Sequence, residues 1–350
     1  MVHLTETESD LVEQLLDDLA DAINDSPEVD PAYANKTKIQ KLLYFAIEEF
    51  DLPVTYSWYL AGAVIPDRSI GPSSLLGLRD DVASPASPTV TRTDDEVGKE
   101  ESSAIDPVLF NDTAGPSSSP ADLRDYVSRD ELIALYRRVL PTVWHEETMR
   151  FLQNFYQETA PERYRLLYIE STHLRTHLSD LTTTLESHLA NETPARSVSE
   201  IRNAIELSVS DLHYYLRGDE RLRETFDLVV DGTGLIEDAL LMLDQSSPSA
   251  FTPDHLDAVR RLQDFFYYYV WKYPCLLVSQ ATATGPRADE LRAEHAATFE
   301  TFDDEIRDEQ ATLRSTLADV GLYPGPNDYP PVDDQELAET LSDLSTEYLE

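Results

Sequence analysis

The chain has 350 residues, with 67 acidic side chains against 27 basic ones and a formal net charge of −40 at pH 7. A surface this acidic disfavours nucleic acids and anionic membranes as partners, and its self-repulsion is screened at molar salt, where the Debye length is about 3 Å. The single cysteine, Cys275, excludes an intramolecular disulfide and a multi-cysteine metal site. We therefore expect a halophilic protein, from the cytoplasm of an archaeon.

Residues 1–66 predict a small N-terminal helical module. No basic and apolar leader pattern opens the chain, which favours a cytoplasmic location. Apolar residues recur at helical spacing over 11–23, and Thr5 with Glu8 fits a capping box at the start of that helix. A second amphipathic helix is predicted over about 36–50.

The rest of the chain predicts a mainly α protein in further segments. Residues 67–120 are rich in Pro, Ser and Asp without apolar periodicity, which is typical of a long flexible linker or insertion. Residues 121–321 show helical periodicity throughout, as in a multi-helix bundle, and the aromatic run at 265–273 predicts a central helix. Residues 322–350 predict an acidic tail with a weak helix near 336–349.

Two helix breaks are predicted inside the bundle. Pro141 lacks the backbone N–H that a helix interior needs, so we expect it to divide two helices. Gly232 and Gly234 are expected to end one helix and to start another.

Three of the five lysines, Lys36, Lys38 and Lys41, lie at the start of the second predicted helix. Cations are unfavourable at a helix N-terminus, so these lysines need compensating groups. One interpretation is pairing with acids of the first helix, namely Asp17, Asp18, Asp21 and Asp25. The other is a basic and aromatic surface for an acidic partner or a phosphate.

The same segment carries a recognisable pattern of residue types. The helix reads Lys-Ile-Gln-Lys-Leu-Leu-Tyr-Phe-Ala from Lys38, and Tyr-Ser-Trp-Tyr follows from Tyr56, with Gly62 after it. This pattern resembles the opening of the Panacea domain family, a helical module of antitoxins in toxin–antitoxin pairs, over about residues 36–66. The resemblance implies a helical protein-binding module. Its matching positions are Lys38, Gln40, Lys41, Tyr44, Trp58 and Tyr59.

We therefore expect a protein partner to dock on these six residues. The alternative is that Tyr44, Phe45 and Trp58 belong to the core, because large aromatic side chains are mostly buried.

Two histidines are candidate metal ligands, in a stripe of one helix that also holds Glu170, Asp180 and His188. His173 and His177 lie one turn apart on a long predicted helix, a spacing at which two imidazoles can share a zinc ion. A solvated polar strip accounts for the same pattern, so no metal is assigned. Neither a phosphate-binding loop nor a nucleophile elbow is present, so we expect no cofactor and assign no catalytic residue.

Together these features favour a non-enzymatic protein-interaction or regulatory protein, antitoxin-like by resemblance. One rival is a helical nuclease or metal-dependent enzyme in the bundle, using His173 and His177 or the pair Arg138 and His145. A structural scaffold protein is the other rival. The partner's identity and the oligomeric state stay open at this point.

Overall fold

A computed structural model of the chain describes residues 2–29, 34–67, 70–75, 121–325 and 328–329. In these residues the fold is mainly α-helical with one two-stranded sheet, which confirms the predicted fold class. Most of the predicted linker at 67–120 and of the predicted tail at 322–350 lies outside the described residues. No helix in the described part of the chain combines the length and apolarity that a membrane crossing requires.

The N-terminal part begins with two helices, α1 over Glu6–Asn24 and α2 over Lys36–Glu49. Thr5 and Glu8 form the predicted capping box at the start of α1. The Glu8 carboxylate is fully buried and also accepts the Thr55 backbone N–H at 2.8 Å. Helix α2 is buried on most sides, because α1, α3 and the hairpin that follows all pack against it.

A short hairpin follows α2. Strand β1, Ser57–Tyr59, pairs antiparallel with β2, Gly62–Val64, so that Trp58 lies opposite Ala63. Gly62 has a φ of +88°, and a Cβ at this position would lie 2.7 Å from Tyr156 Cε1. Only glycine therefore fits this turn without strain.

The remaining helices form the bundle. They are α3 Arg129–His145, α4 Thr148–Thr159, α5 Arg165–Leu189, α6 Val198–Gly218, α7 Phe226–Gln245, α8 Pro253–Phe265, α9 Lys272–Thr282 and α10 Ala288–Asp319. A π-helical turn, Phe266–Trp271, joins α8 to α9 within the aromatic run. Helix α6 packs against both α5 and α7, and α9 packs against α10 and against β1. The aromatic run is largely buried, as its composition predicts.

One hydrophobic core joins the N-terminal part to the bundle. The same cluster of buried side chains includes Leu11 of α1, Trp58 of β1, Trp271 of the π turn and Leu322 after α10. The predicted limits at 66 and 121 are therefore not limits between separate cores.

Neither predicted helix break occurs. Helix α3 runs through Pro141, and α7 runs through Gly232 and Gly234. A Cβ at Gly232 would lie 2.5 Å from Val270 Cγ2, so this glycine allows α7 to approach the π turn closely. At Gly232 this close packing outweighs the local preference for a break. Pro141 lies on the exposed side of α3, whose neighbouring residues Leu140 and Val143 are buried.

Candidate functional site

The lysines of α2 point into the protein. Lys38 is buried, and its Nζ donates to the backbone oxygens of Trp144 and Glu146, at 3.0 Å each. These carbonyls lie at the C-terminal end of α3, the negative end of its dipole, where a cation is favourable. Burial lowers the pKa of Lys38, against the opposing effect of the nearby carboxylates of Glu147 and Glu146.

Side chains from the next turn of α2 form hydrogen bonds to the hairpin. Lys41 is fully buried, and its Nζ donates to Ala63 O at 2.7 Å. Gln40 Oε1 accepts the Ile65 backbone N–H at 3.0 Å. Both side chains thus bind the backbone of β2 and the residue after it, which satisfies polar groups that would otherwise be buried unpaired.

The predicted aromatic positions belong to the core or to its margin. The Trp58 ring packs with the rings of Tyr44, Phe155 and Tyr168 at centroid distances of 5.9, 5.6 and 5.4 Å. Tyr59 is half-buried, and its ring stacks on His295 at 4.9 Å. The core interpretation of Tyr44 and Trp58 is therefore the one that their burial supports.

The expectation of an exposed docking surface at Lys38, Gln40, Lys41, Tyr44 and Trp58 is contradicted by their burial. The structure brings these residues together with Tyr59, but around the hairpin and facing inward.

Two of the α1 acids that the other interpretation named, Asp18 and Asp25, bind arginines. Asp18 binds Arg124 and Arg129. Asp25 binds Arg137 at 3.0 Å. Backbone carbonyls of α3 and β2 accept from the two lysines, and a pairing with carbonyls leaves no charge pattern in the sequence.

A buried polar network fastens the hairpin from its other side. The Ser279 hydroxyl donates to Ser57 Oγ at 2.6 Å and lies 2.6 Å from His295 Nδ1. Burial lowers the pKa of His295 to about 4. Ser279 is fully buried, so this serine and histidine join β1 to α9 and α10. We call the set Gln40, Lys41, Ser57, Ser279 and His295 the polar seam.

The candidate metal ligands lie on α5. His173 Nδ1 is 3.2 Å from Glu170 Oε2, and His177 Nδ1 is 3.4 Å from the Arg196 guanidinium. An arginine this close disfavours a bound cation. Among the described residues, no group of three or more His, Cys, Asp or Glu side chains is placed to hold a metal ion.

An open groove of about 750 Å³ lies where the start of α5 meets the end of α6. We call it the α5–α6 groove; its residues include Arg163, Tyr164, Leu166, Tyr214, Arg217 and Asp219. Leu166 is 50% exposed and Tyr214 is 74% exposed, so both line the groove with uncovered apolar side chains. The groove therefore presents apolar surface to solvent.

One end of the groove is rigid and polar. Arg163 binds Asp219 through two hydrogen bonds of 2.5 and 2.7 Å, and these bonds lower the pKa of Asp219. Asp219 also accepts the Arg221 backbone N–H at 2.9 Å, so the turn after α6 is fixed. The buried Tyr164 hydroxyl has no hydrogen-bond partner among the described residues.

The lining of the groove holds both charges, with Arg163 and Arg217 against Glu162, Asp219 and Glu220, and further arginines follow it in the sequence. Arg217, Arg221 and Arg223 are exposed and form no ion pair with any described residue, whereas twelve other arginines lie within 4.0 Å of a carboxylate. Residues 161–167 and 214–224 together hold five arginines and four acids, against 27 bases and 67 acids in the whole chain.

Sequence reasoning missed this groove. The available signal was the cluster of three arginines directly after the pair Tyr214 and Tyr215, in a chain where bases are scarce.

The fold and the groove define a mainly helical, acid-rich protein with an open groove that exposes apolar side chains. The chain belongs to the family described as "Domain of unknown function (DUF8098)", whose model matches residues 1–350. Comparison with curated proteins and with solved structures gave no match.

Proposed function

We propose that this protein is a non-enzymatic interaction protein with a regulatory role in a halophilic cytoplasm, and that its α5–α6 groove receives an acidic amphipathic helix of a protein partner. The observation that carries the proposal is the exposure of Leu166 and Tyr214 beside Arg217, a groove arginine that has no ion pair with a described residue. Apolar side chains on one face of a helix fill such grooves, and charges at the rim set the orientation.

The salt concentration determines how much the charged contacts and the apolar contacts each contribute to the binding free energy. At molar salt the Debye length is about 3 Å, so the arginines act only on carboxylates that touch them. Apolar burial contributes about 25 cal/mol for each Å² and keeps its strength in salt. Leu166 and Tyr214 therefore supply most of the affinity, and Arg217 selects an acidic helix by direct contact.

The antitoxin-like version of this role rests on the Panacea resemblance of residues 36–66. Those residues form the buried α2 and hairpin unit, so the resemblance supports a common core, and the binding surface is a separate question. A test is co-expression with the product of a small neighbouring reading frame. Growth arrest that this protein relieves supports the antitoxin-like role, and unrelieved arrest opposes it.

The groove is tested by site-specific photocrosslinking of the full chain in cells. A photoreactive residue replaces Tyr214 in one variant and Tyr126, which is 47% exposed and outside the groove, in the other. We expect one protein to crosslink from position 214 and not from position 126.

Purified partner then allows a quantitative comparison. Tyr214→Ser is expected to weaken its binding at least tenfold, because the ring loses its apolar contact. Leu207→Ser is the matched control, since Leu207 is 65% exposed on the same helix but does not line the groove. Equal loss in both variants, or crosslinking of the same proteins from positions 214 and 126, overturns the proposal.

A further inference from the structure

The outer face of α6 lacks the acids that cover much of this chain. From position 203 to the end of α6, the exposed residues are Asn203, Leu207, Ser210, Tyr214, Arg217 and Gly218. At about 100° per residue, the first five lie within about 80° of one another, and we call them the α6 stripe. On α1, in contrast, the exposed residues between positions 11 and 24 are Glu13, Asp17 and Asp21. The α6 stripe is therefore a surface that a highly acidic molecule can approach.

The α6 stripe is complementary to itself when it is reversed. Leu207 lies three residues before Ser210, and Tyr214 lies four residues after it. Asn203 and Arg217 each lie seven residues from Ser210. Two antiparallel copies of α6, related by a two-fold axis at Ser210, thus place Leu207 of each copy against the Tyr214 ring of the other. The Arg217 guanidinium then meets the Asn203 side-chain oxygen, which accepts hydrogen bonds.

We propose that a second copy of this chain packs antiparallel on the α6 stripe and forms a symmetric dimer. A two-fold interface uses the same patch on both copies, so it requires the self-complementarity that the stripe has. Ser210 is small and lets the two helices approach closely at the axis. Contact between one pair of helices is smaller than the about 800 Å² per partner of a standard interface, so the dimer is weak and depends on concentration.

Salt is needed for this dimer. Each copy has a net charge of −40, and the half-buried Asp211 lies near its counterpart across the axis. At molar salt the Debye length is about 3 Å, so both repulsions are screened. Burial of Leu207 and Tyr214 keeps its strength in salt, because apolar contacts are not screened. We therefore expect association in molar KCl and dissociation as the salt concentration falls.

The dimer and the partner helix compete for one side chain. Tyr214 belongs to the α6 stripe and also lines the α5–α6 groove, so a second copy and a partner cannot cover it together. This consequence rests on the proposed function of the groove. At chain concentrations where the wild type is dimeric, Leu207→Asp is expected to raise the yield of partner crosslinked from position 214. An unchanged yield contradicts the competition.

The dimer is tested by sedimentation equilibrium of the purified full chain in molar KCl. We expect the wild type to dimerise as its concentration rises. Leu207→Asp should weaken the dimer at least tenfold, because it places a carboxylate against each Tyr214 ring. Tyr126→Asp is the matched control, since it makes the same charge change at a side chain that is 47% exposed and outside α6. A monomeric wild type, or equal weakening in both variants, overturns the proposal.

The antiparallel arrangement is tested by disulfide formation. Ser210→Cys places two thiols at the two-fold axis, so an added oxidant is expected to link the two copies. Ser199→Cys is the control, because the same axis holds its two copies about 33 Å apart. The native Cys275 is buried, so it does not contribute. Linkage of both variants to the same extent, or none from Ser210→Cys, overturns the arrangement.

The dimer and the partner groove fail in different ways. Sedimentation uses the purified chain alone, so a monomeric wild type overturns the dimer and leaves the partner groove untouched. In cells, mass spectrometry separates a crosslink between two copies from a crosslink to a partner. If the chain dimerises but position 214 crosslinks only a second copy, the dimer stands and the proposed partner function is wrong.

Discussion

The lysines of α2 and the arginines at the end of α6 and just after it are both clusters of positive charge in a very acidic chain. They differ in burial and in the groups that they contact. Lys38 and Lys41 are buried and donate to backbone carbonyls. Arg217, Arg221 and Arg223 are exposed. A compact ammonium on a flexible stem suits a buried cluster of carbonyls, whereas the planar guanidinium suits carboxylates presented from outside.

The comparison shows that scarcity of a residue type does not locate a binding surface. A lysine in so acidic a sequence can belong to the interior, where it is shielded from solvent. The candidate binding surface is instead the α5–α6 groove, where Arg217 lies beside exposed apolar side chains and has no ion pair with a described residue.

The largest expected difference between the two regions is in stability. Lys41→Ala removes a fully buried side chain and leaves Ala63 O without its donor, so we expect it to lower the free energy of unfolding by about 3–5 kcal/mol. Thermal unfolding in molar KCl measures this loss. Arg217→Ala, the exposed counterpart, is expected to change stability by no more than about 0.5 kcal/mol. Similar losses in the two variants would contradict the comparison.

The polar seam also predicts a pH dependence. The pKa of His295 is about 4 in the folded protein and 6.5 in a free side chain, so the unfolded state binds the proton more readily. Stability from this histidine is complete above pH 6.5 and falls as pH drops toward 4, by about 3 kcal/mol in total. His295→Gln should flatten the change in melting temperature between pH 7 and pH 5. The exposed His3→Gln variant should keep the wild-type slope.

A smaller loss is expected where a lysine caps a helix. Lys38→Met keeps the apolar stem but removes the donor to Trp144 O and Glu146 O, at an expected cost of about 2 kcal/mol. The measurement is thermal unfolding at constant KCl. Arg217→Met serves as the control because it removes a cation without removing a buried hydrogen bond. A neutral Lys38→Met would show that the end of α3 does not need the ammonium.

The smallest expected effect on stability comes from the groove itself. Tyr214→Ser should change the free energy of unfolding by no more than about 0.5 kcal/mol, since the side chain is mostly exposed. The same variant should bind the partner at least tenfold more weakly. A large destabilisation by Tyr214→Ser would show that this side chain stabilises the fold, which contradicts its assignment to a binding surface.

Local signals in the sequence were enough to predict where several helices begin. The capping box of Thr5 and Glu8 begins α1 where the sequence predicts it, and capping boxes at Ser128 and Ser197 likewise begin α3 and α6. The continuity of α7 through Gly232 could not be predicted from local sequence, because the residue that packs against it, Val270, lies 38 residues further along the chain.

The burial of α2 could not be predicted for a related reason. Lys38, Gln40 and Lys41 have polar side chains at positions that a binary pattern places outside. Their partners are backbone groups of Trp144, Ala63 and other residues, and any sequence supplies such groups. The groove, in contrast, has a signal in the sequence, namely the cluster of arginines that follows Tyr214.

The hairpin forms hydrogen bonds with residues of the same chain that are synthesised much later. Ser57 receives its hydrogen bond from Ser279, 222 residues further along the chain, and Leu60 O accepts from the Trp271 indole across 211 residues. At roughly 5–20 residues per second, a ribosome needs roughly 10–45 s to add the missing residues. During that time the nascent N-terminal part carries an uncovered aromatic strand, so its synthesis exposes it to aggregation and calls for protection by chaperones.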